Sequence, residues 1–297
     1  MTSWTQVSSG AVLLAACVFW AAGWAKAEEM RNAKRLANPF FAMDTGTKDA
    51  NHNTAKAQDD MLQELGYAGI GYTGFDGLAE MLRELDANGL QLFTIYLSAR
   101  VEPDSWTYDA GLKEGVKSLQ GRNVILWLPV SSNTYKVSSE GGDVPAVAMI
   151  REIADIAADS GLRVALYPHT GCWLERVEDA IRLAKKVDRK NVGVTFNLCH
   201  WLKVTGGQDP RPLLELAMPH LFVVTINGAD PGTGWKKLIQ TLDKGSFDVR
   251  GLLLTLKQLG YTGPIGLQGY GIAGDVQENL KRSMDAWRKL TERGAPQ

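Results

Sequence analysis

Two histidines stand where two apolar runs in the middle of the chain turn polar. The first run, Leu162-Arg163-Val164-Ala165-Leu166-Tyr167-Pro168-His169-Thr170-Gly171, becomes polar at Tyr167 and His169. The second, Val192-Gly193-Val194-Thr195-Phe196-Asn197-Leu198-Cys199-His200-Trp201, does so at Asn197 and His200. Imidazole titrates near neutral pH, so His169 and His200 are the natural proton-transfer groups and read as catalytic. Neutral donors and acceptors such as Tyr167, Asn197, Asn227 and Gln268 suit a ligand rich in hydroxyls. The rings of Trp173 and Trp201 offer faces for the C–H-rich side of a sugar. These six read as substrate-binding. Each residue also has a plainer reading. His169 could bond a loop carbonyl, Asn197 and Gln268 could satisfy backbone groups at a rim, and any tryptophan could simply pack. Asp44 could cap the first helix rather than act as an acid.

The elements that must position these groups repeat along the chain. Short apolar runs recur at 39–43, 67–72, 90–97, 123–130, 162–171, 192–201, 221–226 and 264–267. Runs apolar on both faces are what parallel strands covered by helices require. Between them lie helical patterns, clearest in Leu78, Met81, Leu82 and Leu85 and in Val276, Leu280, Met284 and Trp287. A helix is expected from Leu174 to Val187 and another over 108–119, while the polar, Gly-rich stretch 131–143 suits a mobile cover. Eight β–α units make an α/β chain, a (β/α)₈ TIM barrel of one domain over 38–292. In such a barrel the strand C-termini gather on one face. That mouth would collect Asp44, Tyr72, Tyr96, Arg100, Tyr167, His169, Asn197, His200, Asn227 and Gln268, with Trp106, Trp173 and Trp201 in the loops above.

The 297 residues, 45% of them hydrophobic, suffice for a single large core, and a net charge of −1 without a basic cluster excludes a nucleic-acid groove. The expected partner is a small carbohydrate. Ala11–Trp24 has the length of a signal-peptide core, and Ala25-Lys26-Ala27 offers a cleavage site, so residues 1–27 read as a signal peptide. Lipid anchoring at Cys17 after Leu14-Ala15-Ala16 and an uncleaved membrane anchor are the alternatives. An exported chain, periplasmic or secreted, would keep Cys172 and Cys199, either bridged or as two free thiols.

Two stretches carry a family resemblance. Leu242-Asp243-Lys244-Gly245-Ser246-Phe247-Asp248, then Leu252-Leu253, Leu256-Lys257 and Gly260-Tyr261-Thr262-Gly263-Pro264-Ile265, resemble the run before the last strand of the xylose isomerase-like TIM-barrel superfamily. Val192–His200 resembles that family's strand 6. The family comprises sugar phosphate isomerases and epimerases and their endonuclease IV relatives. The resemblance implies a metal held by Glu, Asp, His and Glu on strands 5 to 8, with the glutamates moving a proton. Carried over, those positions are Tyr167, Asn197, Thr225 and Gln268, so the metal site is degenerate; the histidine that follows the strand-6 acid persists as His200. Neutral side chains neither hold a hard divalent cation nor serve as bases at neutral pH. No cofactor is therefore expected, a softer ion such as Zn²⁺ on His169, His200 and Asn197 being the alternative. The implied activity is an isomerase/epimerase-like or lyase-like proton abstraction next to a sugar carbonyl; the alternative is a catalytically inactive carbohydrate-binding relative. An endonuclease of the repair type would need a trinuclear metal site and a basic face, and neither is present.

Overall fold

The computed structural model describes residues 36–292 other than residue 233. The apolar leader and the cysteine at position 17 lie outside the described residues. Asn38–Leu290 forms one compact unit. Among the described residues no helix is long and apolar enough to cross a membrane.

Eight parallel strands close into a barrel: β1 (Phe40–Met43), β2 (Gly69–Thr73), β3 (Gln91–Tyr96), β4 (Ile125–Leu128), β5 (Arg163–Leu166), β6 (Val192–Asn197), β7 (Leu221–Ile226) and β8 (Ile265–Leu267). The seam joins the first strand to the last, Phe40 pairing with Ile265 and Ala42 with Leu267. Outside lie α1 (Ala55–Leu65), α2 (Leu78–Asn88), α3 (Leu112–Ser118), α4 (Asp143–Ala158), α5 (Val177–Val187), α6 (Leu198–Thr205), α7 (Arg211–Ala217), α8 (Trp235–Leu238), α9 (Val249–Gln258) and α10 (Val276–Glu292). The single-domain TIM barrel read from the alternation is the fold.

Local chemistry sets the helix ends. The Thr54 hydroxyl accepts the Ala57 N–H at the start of α1, and Gly66 ends that helix at φ 83°, a conformation that costs glycine little. In α5, Val177, Ala180, Ile181, Ala184 and Val187 face the sheet, the 3–4 spacing of an amphipathic helix. Arg182 of that helix bonds both Asp143 and Asp179, tying α5 to the start of α4.

The barrel interior is aromatic. Phe41 stacks on Phe93 at 5.0 Å and lies 6.1 Å from Trp127, whose ring is 5.1 Å from Tyr167. Room for Phe41 comes from the neighbouring strands. A Cβ on Gly71 or Gly266 would come within 2.9 or 2.6 Å of its ring, well inside contact distance.

Four local expectations change. Tyr108 ends a strand, Ser105–Tyr108, and does not start a helix. Ala99–Glu102 and Ser105–Tyr108 form a hairpin around Pro103-Asp104, extended by Val130–Ser131, and the helix begins only at Leu112. Pro103-Asp104 is turn chemistry, and Trp106, Thr107 and Tyr108 favour a strand. Second, β6 stops at Asn197, and Cys199, His200 and Trp201 lie on α6. Third, α5 begins at Val177 because the Leu174 N–H is taken by the Val130 carbonyl. Fourth, Asp44 caps nothing; its carboxylate accepts the Thr73 N–H and hydroxyl at 2.9 and 2.8 Å, joining the ends of β1 and β2.

Candidate functional site

Tyr167 is the floor of the mouth. It follows β5, is 1% exposed, and rests on Trp127 below and edge-on to Tyr96 at 5.3 Å. Its hydroxyl receives the Asn197 side-chain N–H at 2.5 Å. The other end of that amide caps α6, Oδ1 accepting the His200 N–H at 3.2 Å and the Cys199 thiol at 3.0 Å. The Asn-x-x-His spacing is thus the spacing of a cap and its third helical residue. Burial pushes the Tyr167 phenol well above its usual range and the Cys199 thiol up to about 12. Both stay neutral at physiological pH.

Above this floor the two histidines meet. Their ring centroids are 4.0 Å apart, and each lies about one ring's reach from Tyr167, His200 at 5.9 Å and His169 at 6.3 Å. His169 Nδ1 is 2.9 Å from the Thr170 carbonyl oxygen. His200 Nδ1 receives the Thr170 N–H at 3.3 Å and lies 3.2 Å from its hydroxyl. Neither Nε2 has a hydrogen-bond partner among the described residues. Burial lowers both pKa values; for His200, which also faces the His169 charge, the value falls to about 3. Both rings are therefore neutral at pH 7. Between α5 and α6, behind Asn197 and His200, the free space is only ≈ 10 Å³, about one water's room.

The other sequence-chosen residues are placed differently. The Asn227 amide N–H groups go to the carbonyls of Gly228 and Leu238, fixing the loop after β7, while its Oδ1 is buried without a partner. Gln268 Oε1 accepts the Tyr270 N–H and the Thr45 hydroxyl; beside it a cleft of ≈ 230 Å³ runs past Thr45, Lys48 and Gly269. None of the three tryptophans expected above the mouth stands open over it. Trp173 is 2% exposed, its indole N–H on the Ser139 carbonyl and its own carbonyl on the Ser138 N–H. It docks the 131–143 loop rather than facing a sugar. Trp201 is 6% exposed between Phe196 and Phe247, and Trp106 bonds Glu152 of α4. The aromatic that does reach the pair is Trp235, 42% exposed and edge-on to His200 at 5.7 Å. Its 35-residue separation from His200 left no local signal to find it by. Cys172 and Cys199 are free thiols.

The chain matches a known family model, the xylose isomerase-like TIM barrel, over residues 60–290. The chain belongs to that family. Among curated relatives, it is 26% identical to the 3-dehydroshikimate dehydratase of Pseudomonas aeruginosa over 149 residues, which are 48% of this chain and 23% of that protein. The chain thus spans about a quarter of that relative. Among solved structures, the 3-keto-D-glucoside 4-epimerase of E. coli superposes with a TM-score of 0.66 at 16% identity, covering 85% of this chain and 99% of that one. The IolI protein with a bound zinc atom gives the same score and identity over 85% and 98%. At these identities the likeness is one of fold.

Members of the family that carry a metal invite a test of the donors here. Tyr167, Asn197, Thr225 and Gln268 bring no negative charge to the four strand ends. Both ends of the Asn197 amide and the Gln268 oxygen are already hydrogen-bonded within the protein. Among the described residues no three His, Cys, Asp or Glu side chains converge. The nitrogens left over are the two histidine Nε2 atoms, short of the three protein ligands of a catalytic zinc site. These donors do not fit a divalent metal.

Proposed function

We propose that the protein is an exported, metal-independent member of the sugar isomerase/epimerase family that removes a proton from carbon next to a carbonyl of a carbohydrate. The observation that carries this reading is the His169–His200 pair, two neutral imidazoles 4.0 Å apart over Tyr167 with both Nε2 atoms unengaged. Neutral imidazole is the form that accepts a proton. Neutral hydroxyl and amide groups stand at the strand ends where the resemblance implies acids, so the two imidazoles are the groups left to move a proton. The dehydratase relative fits the same reading, since elimination of water β to a carbonyl also begins with removal of an α-proton. The apolar stretch Ala11–Trp24 followed by Ala25-Lys26-Ala27 supports export, and cell fractionation tests it.

The test of the chemistry is deuterium wash-in. Incubated in D₂O with a panel of aldoses and ketoses, the protein should label the carbon adjoining the carbonyl of at least one of them, seen as loss of its proton resonance. His169→Gln should lower that rate by about 10²-fold or more, the usual worth of a positioned base, with an unchanged circular-dichroism spectrum. Binding of a sugar without any wash-in would establish instead an inactive carbohydrate-binding relative.

A further inference from the structure

The backbone of Thr170 touches both rings, its carbonyl meeting one and its N–H the other. Its carbonyl oxygen, which only accepts, lies 2.9 Å from His169 Nδ1. A neutral imidazole bonded there must carry its proton on Nδ1, leaving a lone pair on Nε2. Its N–H, which only donates, reaches His200 Nδ1 at 3.3 Å. That nitrogen must carry the lone pair, so the His200 proton sits on Nε2. The backbone of one residue therefore holds two adjacent imidazoles in opposite tautomers.

We infer that His169 and His200 are a base and a neutral electrophile whose roles are set by the Thr170 backbone, His169 Nε2 taking the α-proton while His200 Nε2–H bonds the carbonyl oxygen. The inference rests on the functional reading above. In the step, the C–H bond breaks and an N–H bond forms on His169 Nε2. The freed electron pair makes the C=C bond of an enediolate, and the carbonyl π-pair moves to oxygen. The resulting oxyanion accepts the His200 hydrogen bond, and the His169 imidazolium lies next to it. Reversal returns a proton that has exchanged with solvent. A neutral imidazole donor is better matched to an enediolate oxygen than an imidazolium would be, and burial keeps His200 in that form. Such a donor stabilises developing charge as a Lewis acid otherwise would.

The backbone at Thr170 makes the idea accessible to mutation. The Cys172 N–H bonds the His169 carbonyl at 3.0 Å and Gly171 has φ 86°, while Thr170 is not among the residues with positive φ. That is a type II turn with Thr170 at its second position, where proline is well accommodated. Thr170→Pro removes the N–H to His200 and keeps the turn; Thr170→Val removes only the hydroxyl.

The experiment is ¹⁵N NMR of histidine-labelled full-length protein at pH 7, with the ring signals assigned by loss in His169→Gln and in His200→Gln. The expected result is Nδ1–H for His169 and Nε2–H for His200, unchanged in Thr170→Val. In Thr170→Pro the His200 signals should move toward tautomer averaging, and deuterium wash-in, followed with D-fructose and D-allulose, should fall at least tenfold. The same tautomer in both rings, or either ring protonated at pH 7, overturns the inference whatever the wash-in. Unchanged His200 signals in a folded Thr170→Pro overturn the role of the Thr170 backbone. Opposite tautomers with no wash-in on any sugar overturn the assigned roles together with the functional reading, which the NMR result alone does not touch.

Discussion

Two imidazoles packed 4.0 Å apart beneath a cover of protein resist protonation twice, once through lost hydration and once through mutual repulsion. The consequence is a pH dependence with a defined sign. His200 has a folded pKa of about 3 against an ordinary value of 6.5, so below pH 6.5 the unfolded chain takes up a proton that the folded one refuses. Stability is then level above about pH 6.5 and falls as the pH drops toward 3, by about 1.4 kcal/mol for each unit of separation. Urea midpoints measured from pH 7.5 to 4.5 should show that decline, and His200→Gln should flatten part of it; an identical slope in the variant would remove His200 as its source. Much of the site's composition could be read from the chain, because Tyr167, His169, Asn197 and His200 all lie where apolar runs turn polar. What could not be read was commitment: which polar atoms are consumed by the protein itself. Asn197 closes a helix and reaches Tyr167, Asn227 holds a loop, and Trp173 supports a segment rather than a ligand, commitments that only the folded geometry reveals.

At the scale of elements, packing between strands and loops decides what each residue is free to do. The 131–143 loop was expected to move, yet Trp173 holds it through both its indole N–H and its carbonyl. Trp173→Phe keeps most of the buried ring and removes the bond to Ser139, leaving a carbonyl short of a donor at a cost of about 1–3 kcal/mol. Limited proteolysis should then cut within 131–143 faster than in the parent protein, with cleavage elsewhere unchanged. The strands offer a sharper case. Gly266→Ala would drive a methyl group into the Phe41 ring, at 2.6 Å before relaxation, and overpacking of that kind costs about 1–3 kcal/mol. The melting temperature should fall, and Phe41→Leu in the same chain should recover part of the loss. Neither contact shows in local periodicity. The hairpin at 99–108 was missed for a related reason: Tyr108 and Leu112 are spaced for a helix, but Pro103-Asp104 turns the chain back first.

For the whole molecule, the alternation of eight short apolar runs with eight helical patterns was enough to give the barrel, since a parallel sheet with helices on one side can satisfy its edges by closing on itself. Boundaries were less legible. The run at 192–201 turns polar at Asn197 and then resumes with Leu198, and only the capping geometry of Asn197 shows that a strand ends and a helix begins there. Closure itself depends on residues at opposite ends of the chain. Asn38 donates its side-chain N–H to the Gly263 carbonyl at 2.7 Å, Phe40 stacks on Trp287 at 4.2 Å, and the backbones at Gly46 and Gly269 approach so closely that a Cβ on Gly46 would lie 2.9 Å from the Gly269 Cα. A chain ending after Gly263 should therefore lose its cooperative calorimetric transition, whereas one ending after Leu290 should keep it. The same seam sets a timetable for synthesis. The first strand leaves the ribosome and finds β2 soon after, but its other edge must wait until all seven later strands have been made. During that interval the nascent protein carries two unprotected strand edges, an opening for mispairing that the contacts of the finished barrel come too late to close.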